Sequence, residues 1–143
     1  MFREIADLLL PEGLIYSTIN KDGEKIEKRS SAEFWDIPLV VLINGNSASA
    51  SEILAGAVQD YEGRGTLVGE KTFGKAAVQE IFPIYETGEG VKITTAVYFT
   101  PNGRMINKVG IEPDVPVNQT AEDDDHQLLE AIKILKERLG TRD

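Results

Sequence analysis

The chain has 143 residues, of which 41% are hydrophobic and 27% charged, an ordinary make-up for one globular domain long enough to bury a core. Its formal net charge of -9 leaves no basic patch to neutralise phosphates, which argues against nucleic-acid binding. The absence of cysteine removes disulfides, zinc-thiolate sites and cysteine nucleophiles, and no run approaches the roughly 20 apolar residues of a membrane-spanning helix.

Phe2 to Leu10, with Ile5, Leu8 and Leu9 on one side, predicts a short amphipathic helix that Pro11-Glu12-Gly13 ends. Met1-Phe2-Arg3-Glu4 does not begin a signal peptide. Leu14 to Asn20 is β-branched and predicts a strand, Lys21-Asp22-Gly23 a turn, and the charged stretch Glu24 to Arg29 at most an exposed return strand. Ser30 to Phe34 reads as loop. Leu39 to Ile43 is a short apolar run that predicts a buried strand, stopped by the turn residues Asn44, Gly45 and Asn46. The Ser/Ala run that follows opens a helix carrying Ile53, Leu54, Ala57, Val58 and Tyr61 at helical spacing. A second apolar run, Thr66 to Val68, leads into a glycine-containing loop with Gly74-Lys75. Ala77 to Ile84 and Val91 to Tyr98 then predict strands joined by a hairpin loop over Glu86 to Gly90. Pro101-Asn102-Gly103 is a turn, and two prolines keep Val109 to Val117 extended. The acidic run Glu122 to Asp125 precedes Leu128, Leu129, Ile132, Leu135 and Leu139 at helical spacing. Lys133, Lys136, Arg138 and Gly140 close that helix as its dipole and C-cap favour.

Two residues in the middle of the chain have the makings of a nucleophile and a base. Ser49 stands at a helix start after a tight turn, where a hydroxyl is lifted clear of the sheet. The unpaired amide hydrogens of the first helical turn, that of Ala50 among them, point where an oxyanion would form. Lys75 is flanked by Gly74 and by Ala76-Ala77, so other parts of the fold can pack against it, and such packing favours the neutral amine that a lysine base requires. Taken alone, each has a plainer reading: a serine before a helix caps it, and a loop lysine is a solvated charge. Ser47 and Ser51 read as turn and first-turn residues.

SASASEILAGAVQD, GEKTFGKAAVQ, YFTPNGR and GIEPDVPV, in this order, resemble the carboxyl-terminal processing (tail-specific) proteases, serine peptidases with a Ser-Lys pair. The resemblance covers the chain from about Ile5 to the C-terminal helix. It implies that Ser49 is the nucleophile, Lys75 the general base, Gln79 the residue that hydrogen-bonds and orients that base, and the Ala50 amide one oxyanion donor. It also implies an α/β fold of β-β-α units similar to the Clp protease and crotonase superfold, and hydrolysis of protein or peptide substrates near extended C-termini outside the cytoplasm. No metal or cofactor is implied. The turn Tyr61-Glu62-Gly63-Arg64 makes the spacing from Ser49 to Lys75 one residue longer than the family pattern, a cheap insertion in a surface turn. Asp60 matches an acid common in the family, and a structural role near Arg64 is expected for it.

Full-length members of the family begin with a targeting or anchoring segment and usually a PDZ domain, and take a second oxyanion donor from an upstream Gly-Gly segment. Residues 1-143 are therefore expected to be a partial catalytic domain, incomplete at the N-terminus, inactive by itself and prone to self-association through an open sheet edge. Two other functions share these features: a catalytically silent module that captures extended peptide along a strand edge, and an acyl-CoA enzyme of the same superfold. A phosphate loop does not fit, because Gly69 to Ala76 ends in Ala where Ser or Thr would hold magnesium, and a strand rather than a helix follows. His126 is the only histidine and lies in an acidic helix start, where a solvated or capping role is expected. The neighbouring Asp123, Asp124 and Asp125 have a helix-dipole rationale that makes a metal site unnecessary.

Overall fold

In the computed structural model, which describes residues 2-119 and 125-140, helix α1 (Phe2–Leu9) ends where Pro11 removes a helical donor. It is followed by strands β1 (Gly13–Asn20), β2 (Lys25–Ser30) and β3 (Val40–Ile43), helix α2 (Ala50–Asp60) and strands β4 (Thr66–Gly69), β5 (Ala77–Ile84), β6 (Glu89–Phe99) and β7 (Val115–Pro116). Helix α3 (His126–Leu139) completes the order. The strands form a four-stranded sheet in the order β2-β1-β6-β5 and a three-stranded sheet in the order β3-β4-β7.

Local chemistry explains several of these connections and ends. Asn20 folds the β1-β2 turn by accepting from the amides of Asp22 (3.0 Å) and Glu24 (2.9 Å) with its side-chain oxygen. The pair β3 and β4 is parallel, from Val40 opposite Thr66 to Ile43 opposite Gly69, and a parallel pair needs a crossover, which α2 supplies. Helix α3 starts on Asp125, whose carboxylate accepts from the Leu128 amide (2.9 Å), and stops on Gly140 in the left-handed conformation, φ 69°. Residues Glu122 to Asp124 of the acidic run lie outside the described residues.

The core is built around α2. Ile53, Ala55, Ala57 and Val58 are buried with Ile15, Leu67, Ile106 and Ile111. Gly56 lets the helix approach closely, since a Cβ there would lie 2.8 Å from Thr100 Cγ2. Two expectations change. The strand β3 is not buried: it is an edge strand, so Val40 and Val41 are half-buried and Leu42 is exposed, leaving only Ile43 in the core. The stretch Val109 to Val117 contains no helix, as expected, and pairs over Val115–Pro116. The apolar spacing in α3 does not mark its packed side, because Leu128, Leu129, Ile132 and Leu139 are exposed while Gln127 and Ala131 are buried.

Two stability predictions follow from this packing. Gly110 has φ 77°, and a Cβ there would stand 2.5 Å from the Thr72 carbonyl oxygen. Gly110→Ala should therefore cost about 2–4 kcal/mol, combining a left-handed backbone with a clash against main chain. Thermal unfolding would read this directly, and an unchanged midpoint would mean that the two loops do not meet there.

Burial pushes the Tyr16 phenol above its ordinary value, and the neighbouring Tyr98, its ring 5.2 Å away, pushes in the same direction. Burial likewise raises Tyr61, whose hydroxyl donates to the Leu14 carbonyl (3.0 Å). A folded-state value above the unfolded one, about 10, keeps the protonated phenol favoured in the fold. The stability this supplies is complete below pH about 10 and is lost as pH rises through the raised values. The melting temperature should fall in that alkaline window, and fall less in Tyr16→Phe. Equal slopes for both proteins would exclude Tyr16 as the cause.

Candidate active site

The strand-turn-helix passage from β3 to α2 is stitched by the residues that the sequence supplies. Ser47 Oγ accepts from the Asn44 amide (3.1 Å), and the Asn44 side-chain oxygen accepts from the Asn46 amide (2.9 Å). Ser51 Oγ donates to the Ala48 carbonyl (2.8 Å). Ser47 and Ser51 are thus committed locally, in the turn and first-turn positions expected of them. Ser49 differs, being exposed and held at φ 59°, ψ -119°. A non-glycine residue in the left-handed half of the map stores on the order of 1–3 kcal/mol, and a strained serine between strand and helix is the arrangement of a nucleophile elbow. Ala50 opens α2, so its N–H belongs to the first turn, where no helical carbonyl accepts it.

The loop before β5 lies against this elbow. The Ser49 amide donates to the Lys75 carbonyl (3.0 Å), and the Phe73 amide donates to the Ser47 carbonyl (3.0 Å). The structure therefore brings Ser49 and Lys75 together through their backbones. The Lys75 side chain is exposed, contrary to the expectation that it would be packed against. The reason is that the small neighbours face inward: Gly74 and Ala76 are buried, which turns the lysine between them outward. Gln79 lies on exposed β5 with its Nε2 3.5 Å from Thr94 Oγ1, so it rests on Thr94 and not on Lys75. A strand follows Lys75, leaving no helix N-terminus behind Gly74-Lys75 to receive a phosphate. His126 is the first residue of α3, and Asp125 caps that helix.

Sequence reasoning missed Glu52. It is 0% exposed, and its carboxylate accepts from Thr72 Oγ1 (2.6 Å), the Gly74 amide (2.6 Å), the Lys75 amide (2.9 Å) and the Ser49 amide (3.0 Å). The available signal was its place three residues after Ser49, the capping-box spacing, on the helix face that it shares with the buried Ala55 and Gly56.

Asp60 was expected near Arg64. Its partners are instead Arg104, in an ion pair that leaves the Asp60 side chain 3% exposed, and the Asn102 amide (2.7 Å). Arg64 turns the other way and donates to the carbonyls of Leu9, Ile37 (2.8 Å) and Trp35 (3.0 Å), with its guanidinium 5.7 Å from the Phe34 ring centre. The turn from Tyr61 to Arg64 is thereby anchored. The stretches YFTPNGR and GIEPDVPV, which carried no chemical role in the sequence, tie the site to the rest of the fold. Arg104 pairs with Asp60, the Ile111 amide donates to Thr72 Oγ1 (2.7 Å), and Asp114 accepts from the Leu67 amide (2.7 Å).

The profile of peptidase family S41 matches residues 2-117, which takes in the elbow, the lysine loop and both tethering stretches. The chain belongs to peptidase family S41. It is 50% identical over 117 residues to a carboxyl-terminal-processing protease of Synechocystis sp., a match that covers 81% of this chain and 27% of that protein. It is 44% identical over 119 residues to a carboxy-terminal-processing protease of Bartonella bacilliformis, covering 80% and 27%. The solved structure of a photosystem II D1 C-terminal processing protease superposes with a TM-score of 0.78 at 34% identity, over 99% of this chain and 35% of that one. Mature CPAF, at 22% identity and a TM-score of 0.56, shares the fold. This S41 chain spans about a quarter of the length of the curated relatives it matches. Helix α3 lies beyond the residues that the family profile covers.

Proposed function

We propose that this chain carries the nucleophile and the general base of a serine-type peptidase that cleaves proteins near their C-termini. The observation that carries the reading is Ser49, exposed on a strained elbow with its amide bonded to the Lys75 carbonyl (3.0 Å). In the reaction the neutral Lys75 amine takes the proton of Ser49 Oγ, which attacks the scissile carbonyl, and the Ala50 amide stabilises the oxygen that becomes negative. The protonated lysine then gives its proton to the leaving amine. An acyl-enzyme on Ser49 remains, and water activated by the same lysine hydrolyses it. Gln79 is the proposed partner that orients Lys75; its 3.5 Å contact with Thr94 Oγ1 is at the weak limit of a hydrogen bond, so little opposes its turning.

The likeness to carboxyl-terminal-processing proteases supports protein C-termini as the substrate class, and an activity outside the cytoplasm belongs to the same proposal. The test is to mix a protein of the relatives' length carrying this sequence with an activated peptide ester, quench in acid, and locate the adduct by mass spectrometry. An acyl group on the peptide containing Ser49 is expected. An adduct elsewhere, or none during active turnover, would overturn the proposal.

A further inference from the structure

We propose that Glu52 is the positioning residue that fixes Ser49 and Lys75 relative to each other, an inference that rests on the peptidase reading of those two residues. The carboxylate divides its work. One oxygen, Oε2, accepts from the backbone amides of both Ser49 (3.0 Å) and Lys75 (2.9 Å). The other, Oε1, accepts from the Gly74 amide and from Thr72 Oγ1, both at 2.6 Å. Thr72 Oγ1 in turn accepts from the Ile111 amide (2.7 Å), so Glu52 joins the elbow to the lysine loop directly and to the segment at Ile111 through Thr72.

All four groups facing Glu52 are donors, and an ionised carboxylate is acceptor-only with about four lone-pair sites. With those sites filled, Glu52 has none left to take a proton from Ser49, which separates it from the base. A charge buried at this depth is tolerated only when it is fully hydrogen-bonded. The bonds it makes therefore hold their donors tightly, and two of those donors belong to the candidate nucleophile and base. The Ser49 amide also reaches the Lys75 carbonyl, so the strained φ of 59° is secured from two sides. A side chain serving only the core could have met its needs with any four donors. This one spans the junction on which the distance from serine to lysine depends.

The discriminating change is Glu52→Gln, which keeps size and shape but turns one acceptor oxygen into an NH2 group that must face donors. In a protein of the relatives' length, kcat should fall about a hundredfold, as for a catalytic pair about 1 Å out of place, with KM nearly unchanged. In NMR spectra the Ser49 and Lys75 amide protons should move upfield together, as expected when charge-assisted bonds become neutral ones, whereas Ser51 should not move. A purely structural Glu52 would lower the melting temperature and leave kcat per folded molecule and the coupled amide shift untouched.

Should Glu52→Gln fail to fold, Thr72→Val decides. It removes, at nearly constant shape, the hydroxyl that donates to Glu52 and accepts from the Ile111 amide; the lost donor alone should lower kcat about tenfold, the worth of one hydrogen bond, with the same two amides displaced. Glu52→Gln folded and within about threefold of wild-type kcat, less than one hydrogen bond is worth, would overturn the inference. So would Thr72→Val with the Ser49 and Lys75 amides unmoved. Ser49→Ala separates the two levels: if it stays active, the peptidase reading fails; if it is dead while Glu52→Gln is active, only the positioning role fails.

Discussion

Ser49→Ala should lower turnover by about 10⁴-fold or more, the scale on which loss of a serine nucleophile acts, while the fold persists. The structure gives reasons for both halves. The hydroxyl is exposed, so removing it opens no cavity, and the amide that meets Glu52 and the Lys75 carbonyl is present in any residue at this position. Ser49→Gly should be equally inactive yet more stable than Ser49→Ala, by about 1 kcal/mol, because glycine adopts φ 59° without strain. The neighbours serve as controls. Ser47→Ala loses the bond from the Asn44 amide and Ser51→Ala the bond to the Ala48 carbonyl, and both should keep turnover within about tenfold of wild type, since each removes one hydrogen bond. Peptide cleavage measured alongside thermal unfolding would check the set. Turnover in Ser49→Ala near the wild-type rate, or an equal loss in Ser47→Ala, would remove Ser49 from its role.

Lys75→Arg is expected to be nearly as damaging, with a loss of about 10³-fold or more, within the range that general-base catalysis contributes. Arginine retains the charge and most of the length, but a guanidinium does not give up its proton in proteins and so cannot receive that of the serine. The exposed position makes the experiment clean. No packing is disturbed, and the Lys75 carbonyl and amide, which bond to Ser49 and Glu52, remain. Wild-type turnover should rise with pH, because only the neutral amine accepts a proton, and the arginine variant should show no such rise. An arginine variant with substantial activity would reduce Lys75 to an electrostatic helper and require another base.

Much of this architecture was legible in the residues themselves. Hydrophobic period and turn chemistry act over a few residues, so α1, the β1-β2 and β5-β6 hairpins, the β3-turn-α2 passage and the glycine stop of α3 could all be read along the chain. Ser49 could be singled out for the same reason, since its position between turn and helix is local. Residues whose partners lie far along the chain could not be read that way. Glu52 meets Thr72 and Gly74, 20 and 22 residues on, and Asp60 meets Arg104 across 44 residues, contacts that exist only once α2, the lysine loop and the turn after β6 have packed together. The same packing decided that Lys75 points outward between buried Gly74 and Ala76, and that β3 runs along a sheet edge. It also decided that Ser49 sits at φ 59°. Strain of that kind is held against local preference by distant hydrogen bonds, and a serine in sequence carries no sign of it.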